Sequence, residues 1–242
     1  MNRKQTGLYL GLLLVFLLFP MAALADGVGK AIFVIGNVTL VSANGKSGPL
    51  KKGHILNPGD RIDTSAKGQV QIRMIDGAFI GIRPNSSFEV TDYQLDEKNP
   101  ENQKSEFNLL KGGFRAITGK IGKTNKNAYK VVTPVATIGI RGTDYVAMLC
   151  ADDCGGRSSG KKHKKEKNGL YVGVLRGGVH VKNAASSIDI DRNQYSYVAG
   201  LEEKPVRLKK PPAFLMFETV DPSVDEENHA RNNGDRGRHG NR

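Results

Sequence analysis

Arg141 stands in the middle of an apolar, strand-like run, Val131 to Val146, punctuated by Pro134, Gly139 and Gly142. Read with a period of two, Val132, Pro134, Ala136, Ile138 and Ile140 share one face. Val135, Thr137, Gly139 and Arg141 share the other. A guanidinium so placed has two chemistries open to it. It can bind a carboxylate or phosphate, or its five donors can tie turn carbonyls and pair with Asp144. Gly139-Ile140-Arg141 repeats Gly81-Ile82-Arg83. A repeated unit reproduces scaffold contacts more readily than a single ligand site, so the scaffold role is the expectation. Gly142 is expected to end the run in a bend or bulge.

Other chemistry-bearing residues are few. Cys150 and Cys154 lie four apart, and in an exported chain such a pair closes a small disulfide loop more readily than it holds a metal. His163 is the nearest further ligand, and no metal or other cofactor is expected. Lys161, Lys162, Lys164, Lys165 and Lys167 form a basic run. It reads as a solvated loop or as an electrostatic contact to an anionic envelope polymer or lipid. Gly155 to Lys161 imitates a phosphate loop, but Lys162 stands where the magnesium-holding hydroxyl belongs. Asp60 and Asp63 are close in sequence, yet Pro58-Gly59-Asp60 reads as a turn. With no nucleophile elbow, zinc pair or Cys–His arrangement in the sequence, a non-enzymatic chain is expected.

These residues must be positioned by strands. From residue 26 to about 200 the sequence alternates short β-branched runs with turn signals such as Asn44-Gly45, Asp76-Gly77 and Gly112-Gly113. No helical period of any length interrupts them. The predicted fold is all-β, a roll or sandwich built from duplicated β units, with no substantial helix. One long strand is expected over Tyr129–Arg141, and separate strands over Glu106–Leu110 and Phe114–Ile117.

One hairpin can be argued to its register. A three-residue turn ending in a left-handed Gly77 pairs Met74 with Ala78, Ile72 with Ile80 and Val70 with Ile82. That register gathers six apolar residues on one face. Duplication shows as Leu110-Lys-Gly-Gly113 recurring at Leu175-Arg-Gly-Gly178, with a fainter echo at Leu50-Lys-Lys-Gly53.

The first 25 residues read as a cleaved signal peptide. Arg3 and Lys4 precede an apolar run from Leu8 to Phe19, and Ala23-Leu24-Ala25 follows. That run is about 12 residues, short of the roughly 20 a spanning helix needs. No later segment is apolar enough to span. Domain 26–200 would be followed by an extension over 201–220, in which Phe214 to Phe217 docks back on the body. Residues 221–242 are charged and nearly free of apolar side chains, so a disordered tail is expected there. The formal charge of +12 favours anionic glycan or lipid neighbours or an envelope protein, and export makes nucleic acid a poor fit.

Gly59 to Thr64, Gln69 to Met74, Asp76-Gly77, Pro84-Asn85-Ser86 and Phe88-Glu89-Val90 resemble the start of a FecR-type domain. Leu110 to Gly113 is similar to that domain's central leucine–glycine step. Val132-Thr133-Pro134 leading to Ile140-Arg141-Gly142-Thr143 resembles its closing signature. The resemblance covers about 59–148 and implies an all-β extracytoplasmic module. On this reading Thr133, Pro134, Gly139, Arg141, Gly142, Thr143 and Gly77 are structural signature residues.

In the iron-citrate regulators that give the family its name, the module passes a surface signal to a cytoplasmic sigma factor. Those regulators carry a cytoplasmic helical segment and an uncleaved membrane helix. Seven residues precede the apolar run here, so the expectation is an exported stand-alone version, periplasmic or secreted. Its expected role is a binding or scaffold module of the envelope. An accessory in trans-envelope signalling, acting through a partner, is the alternative, and an envelope polysaccharide hydrolase is a more distant one.

Overall fold

The computed structural model describes residues 27–151, 154 and 167–215. The expected signal peptide, the expected 221–242 tail and most of the basic run lie outside them. The first strands are β1 (Gly29–Ile35), β2 (Val38–Val41), β3 (Ser47–Pro49), β4 (Ile55–Leu56) and β5 (Arg61–Thr64). β6 (Gln69–Met74), β7 (Phe79–Ile82), β8 (Ser87–Gln94) and β9 (Lys104–Ile117) follow, then a short helix α1 (Lys120–Thr124). β10 (Tyr129–Val132), β11 (Thr137–Ile140), β12 (Asp144–Cys150) and β13 (Gly169–Arg176) come next. β14 (Gly178–Lys182), β15 (Ser187–Asp191), β16 (Tyr195–Val198) and β17 (Val206–Leu208) complete the set.

The strands divide into two layers. Layer A runs β4–β1–β6–β7–β9–β12–β13–β16–β17. Layer B runs β3–β2–β5–β8–β9–β10–β11–β14–β15. Past the short edge strands β3 and β4, both layers follow the order of the sequence. The chain therefore advances along one axis while crossing between layers, the signature of a roll built from successive units.

β9 belongs to both layers. Its first half pairs with β8 and β10 in layer B, its second half with β7 and β12 in layer A. The passage lies at Leu110–Gly113. Leu110 is skipped in the register and half exposed, and Gly112 has φ +72°. A Cβ on Gly112 would lie 2.3 Å from Ser86 Oγ and 2.6 Å from backbone, so glycine is required there on both counts.

The β6–β7 hairpin has the register argued from sequence. Ile72 faces Ile80 and Val70 faces Ile82, Met74 N donates to Ala78 O, and Gly77 is left-handed with φ +82°. All six apolar residues are buried. The expected single strand over Tyr129–Arg141 is instead a hairpin, β10 and β11, folded at Thr133–Ala136. The turn reverses the face assignment before it: Val131 is buried and Val132 exposed, whereas Ile138 and Ile140 are buried as expected. The two strands expected over 106–117 are one.

Side chains from both layers meet in a single core. At its centre Phe88, Phe107, Tyr129, Tyr145 and Phe114 form a closed circuit of ring contacts. The two phenols satisfy each other at 2.6 Å. Tyr93 packs on Phe107 and donates to Asp76 Oδ1. The other Asp76 oxygen accepts from Ile121 N at 3.0 Å, which fixes α1 to the hairpin turn. Among the described residues no helix is long and apolar enough to cross a membrane.

Candidate functional site

The duplicated triplets occupy matching positions on opposite layers, Gly81-Ile82-Arg83 closing β7 and Gly139-Ile140-Arg141 closing β11. Arg83 N donates to Gly113 O, and Arg141 N donates to Gly178 O. Each arginine is followed by a left-handed residue, Asn85 (φ +55°) or Gly142 (φ +74°). A hydroxyl residue then closes the unit. Ser86 Oγ donates to Gly113 O, and Thr143 Oγ1 donates to Gly178 O.

A second hydroxyl locks each of these from the other side. Thr64 Oγ1 accepts from Ser86 N, as Thr118 Oγ1 does from Thr143 N, both at 2.9 Å. Sequence reading marks Thr143 as a signature residue and places Ser86 and Thr64 in family motifs, but does not identify the hydroxyl-to-backbone locks, nor Thr118. Their signal was present: a Ser or Thr two or three residues after each Gly-Ile-Arg.

Thr133 and Thr143 are therefore backbone clasps. Thr133 Oγ1 donates to Ala136 O and accepts from Ala136 N and Val135 N, holding the turn that contains Pro134. Arg141 does not pair with Asp144. Its Nη2 meets Asp191 Oδ1 at 2.5 Å on the surface, with both side chains largely exposed. The expected partner is taken: Asp144, 4 % exposed, accepts a bidentate pair from Arg115 Nε and Nη2 at 2.9 and 2.8 Å. Arg176 lies 3.6 Å from the same carboxylate. The outward side of Arg115 is bordered by its cross-strand neighbour Gly81, which carries no side chain.

The outer face of layer A is covered over β12, β13 and β16. Val146, Met148, Cys150 and Tyr171 are buried there beneath Leu215, with Phe214 and Leu208 packed against them. Arg83 Nη1 donates to Phe214 O at 2.5 Å. Burial pulls this guanidinium down to about 10, which leaves it a cation at neutral pH. The docking of the extension is thus seen at Phe214 and Leu215, while Met216 and Phe217 lie outside the described residues. Cys150 and Cys154 are joined as a disulfide at the margin of this covered face.

The outer face of layer B is open. Between β10, β11 and β14 lies a groove of about 850 Å³. Gly139 forms its floor: a Cβ there would meet nothing closer than His180 O at 3.9 Å. Lys130 borders one side, paired with Glu106 at 2.8 Å. His180 borders the other, its Nδ1 at 2.9 Å from Asp189 Oδ1. Lys126, Arg141 and Lys182 complete the cationic rim. Among the described residues Lys126 and Lys182 have no ion-pair partner.

Asn183 builds the far wall by donating to Gly200 O and Glu203 O, which sets Leu201 over the groove. Of the signature residues, Thr133, Gly139 and Arg141 reach the groove lining. Gly77, Gly142 and Thr143 shape the backbone elsewhere. Lys167 is exposed, and Lys161, Lys162, Lys164 and Lys165 lie outside the described residues. Asp60 and Asp63 do not converge on one site. Asp60 accepts from Asn57 N within its turn, and Asp63 is engaged by Arg61 and Ser87.

Comparison with known proteins gives one family. The profile described as FecR protein matches residues 60–180. No curated protein matches the chain. A solved cell surface anchoring domain is 32 % identical over 28 % of this chain and 90 % of its own, with a TM-score of 0.27. Two crystal structures of a candidate anti-sigma factor from Parabacteroides distasonis ATCC 8503 are 12 % identical, with TM-scores of 0.43. Each match covers 62 % of this chain and 59 % of that protein's length.

Proposed function

This chain belongs to the FecR family, and from that footing we propose that it is a non-enzymatic binding module of the cell envelope, periplasmic or secreted. One observation carries the reading: the contrast between its two outer faces. Layer A is closed over β12, β13 and β16 by the chain's own extension, while layer B presents an open groove with a cationic rim. Pre-formed concave sites with a few convergent polar groups are where proteins hold ligands. Of the four cationic side chains that line the groove, Lys126 and Lys182 have no ion-pair partner among the described residues, so its field favours anionic envelope material.

Family membership also favours a role in envelope signalling through a partner, the groove then being where that partner or its signal docks. For hydrolysis of a glycan the lining offers Asp189, already held by His180, a poor start for an acid–base carboxylate pair.

The test is retention of envelope material by the immobilised chain lacking residues 1–25, at about 50 mM and about 500 mM salt. Retention at low salt, lost at high salt and lost in the Lys126→Glu/Lys182→Glu variant, is the expected result. Equal retention by both proteins would sink the groove as the binding face.

A further inference from the structure

The open groove has a chemical grain finer than its charge. On the outer face of layer B, cross-strand neighbours form rows. Gly139, His180 and Asp189 make one row, and Val132, Thr137, Lys182 and Ser187 make the next. Rows on one face of a strand are about 7 Å apart. In the first row the ion pair Glu106–Lys130 and the hydrogen-bonded pair His180–Asp189 flank a position with no side chain, Gly139. The result is a notch with charged walls and a backbone floor.

The second row is different in character. Val132 and, over the rim, Leu201 are exposed apolar side chains, 36 % and 54 % accessible. Beside them stand the Thr137 hydroxyl and the Lys182 ammonium, with the Asn127 carboxamide at the mouth. Among the described residues these three side chains make no hydrogen bond or ion pair. Polar groups with no internal partner, set beside apolar surface and unpaired cations, match a ligand with the same mixture: an apolar face, hydroxyls and a negative charge.

We propose that the groove is a binding site for a carboxylated glycan, with one uronic-acid-type ring seated over Gly139. The proposal rests on the binding-module reading and names its ligand class. The ring's apolar face lies on Val132 and Leu201, a hydroxyl meets Thr137 and its carboxylate is held by Lys182, while Asn127 and Lys126, at the other end of the groove, meet the next unit of the sugar chain. Unpaired lysines suit this task, because an arriving carboxylate breaks no existing ion pair. A phosphate-bearing lipid surface shares the anionic chemistry, but its head groups lie in a plane and must enter a recessed notch. A free sugar chain can lie along the groove.

Gly139→Val is the discriminating variant. An added Cβ has space on the protein side and valine suits a strand, so the fold is expected to be retained while the notch is filled. Binding is measured by calorimetry with a galacturonic-acid hexasaccharide, its carboxyl-reduced counterpart, and vesicles of phosphatidylglycerol in phosphatidylcholine. The acidic oligosaccharide is expected to bind the chain lacking residues 1–25. The reduced one should bind roughly tenfold more weakly or not at all.

Gly139→Val, with an unchanged circular dichroism spectrum and melting temperature, is expected to abolish the acidic signal. Equal binding of both sugars, full binding by Gly139→Val, or binding of vesicles without the oligosaccharide would overturn the proposal. Should the oligosaccharide fail while envelope material is still retained in a groove-dependent way, the ligand class is wrong and the binding-module reading survives.

Discussion

At Asp144 the cost of a buried charge decides what the residue is for. Its carboxylate is almost fully enclosed and meets Arg115, itself 12 % exposed, through two hydrogen bonds. Removing one partner of such a pair leaves the other charge stranded, at about 3–5 kcal/mol. Asp144→Asn is therefore expected to lower the unfolding free energy in urea by that amount. Arg141→Ala, which breaks an exposed pair with Asp191, should change it by about 0–1 kcal/mol. A larger effect at Arg141 than at Asp144 would refute the assignment. Sequence alone pointed to Arg141 because Asp144 is three residues away. The true partner lies 29 residues away in sequence, on a strand whose path through both layers no local pattern announces.

Elements were legible where a single turn residue dictates geometry. Gly77 fixed the β6–β7 hairpin because its left-handed conformation admits one register that buries all six apolar residues. The β10–β11 hairpin was hidden because a side chain does the work of the backbone. Thr133 Oγ1 makes three bonds across the turn, and β-branched residues continue unbroken on both sides. β9 reads in the sequence as two strands because Gly112-Gly113 normally signals a turn, whereas in the fold it lets one strand change layers.

The hydroxyl clasps belong to this scale as well. Thr143→Val should lose about 0.5–1.5 kcal/mol, since Gly178 O loses one of its two donors and keeps Arg141 N. Thr143→Ser keeps the hydroxyl and should recover most of that loss in thermal melts. If Ser melts no higher than Val, the hydroxyl is not the operative group.

Over the whole molecule, the two layers are joined through the aromatic circuit, and this sets an alkaline limit. Burial raises the phenols of Tyr93, Tyr129 and Tyr145 above their ordinary value of 10.0. The unfolded chain therefore releases these protons at lower pH than the native one. The stability they support is complete below about pH 10 and is lost as pH rises beyond it. Urea midpoints should hold level up to about pH 10 and fall steeply above it. Tyrosinate absorbance should rise together with loss of the β-sheet circular dichroism signal. The Tyr129→Phe/Tyr145→Phe protein should show a shallower alkaline fall, and an identical profile would count against the phenols. The all-β class and the duplication were legible at this scale. The exchange of layers between the two units was not, because alternation specifies an inner and an outer face without saying to which layer a strand belongs.

β9 has a mechanical meaning beyond its place in the core. It holds ladder bonds to four strands, β8 and β10 in one layer and β7 and β12 in the other, so it acts as a bolt through the molecule. Tension applied at the ends of the described chain would peel the outlying strands one ladder at a time, since the first and last strands lie toward opposite ends of the layers. Neither layer could slide over the other until the bolt itself sheared. A module pulled between a surface and whatever it holds would thus shed its margins first and keep its centre, and the layer-B groove, whose strands begin beside β9, until late.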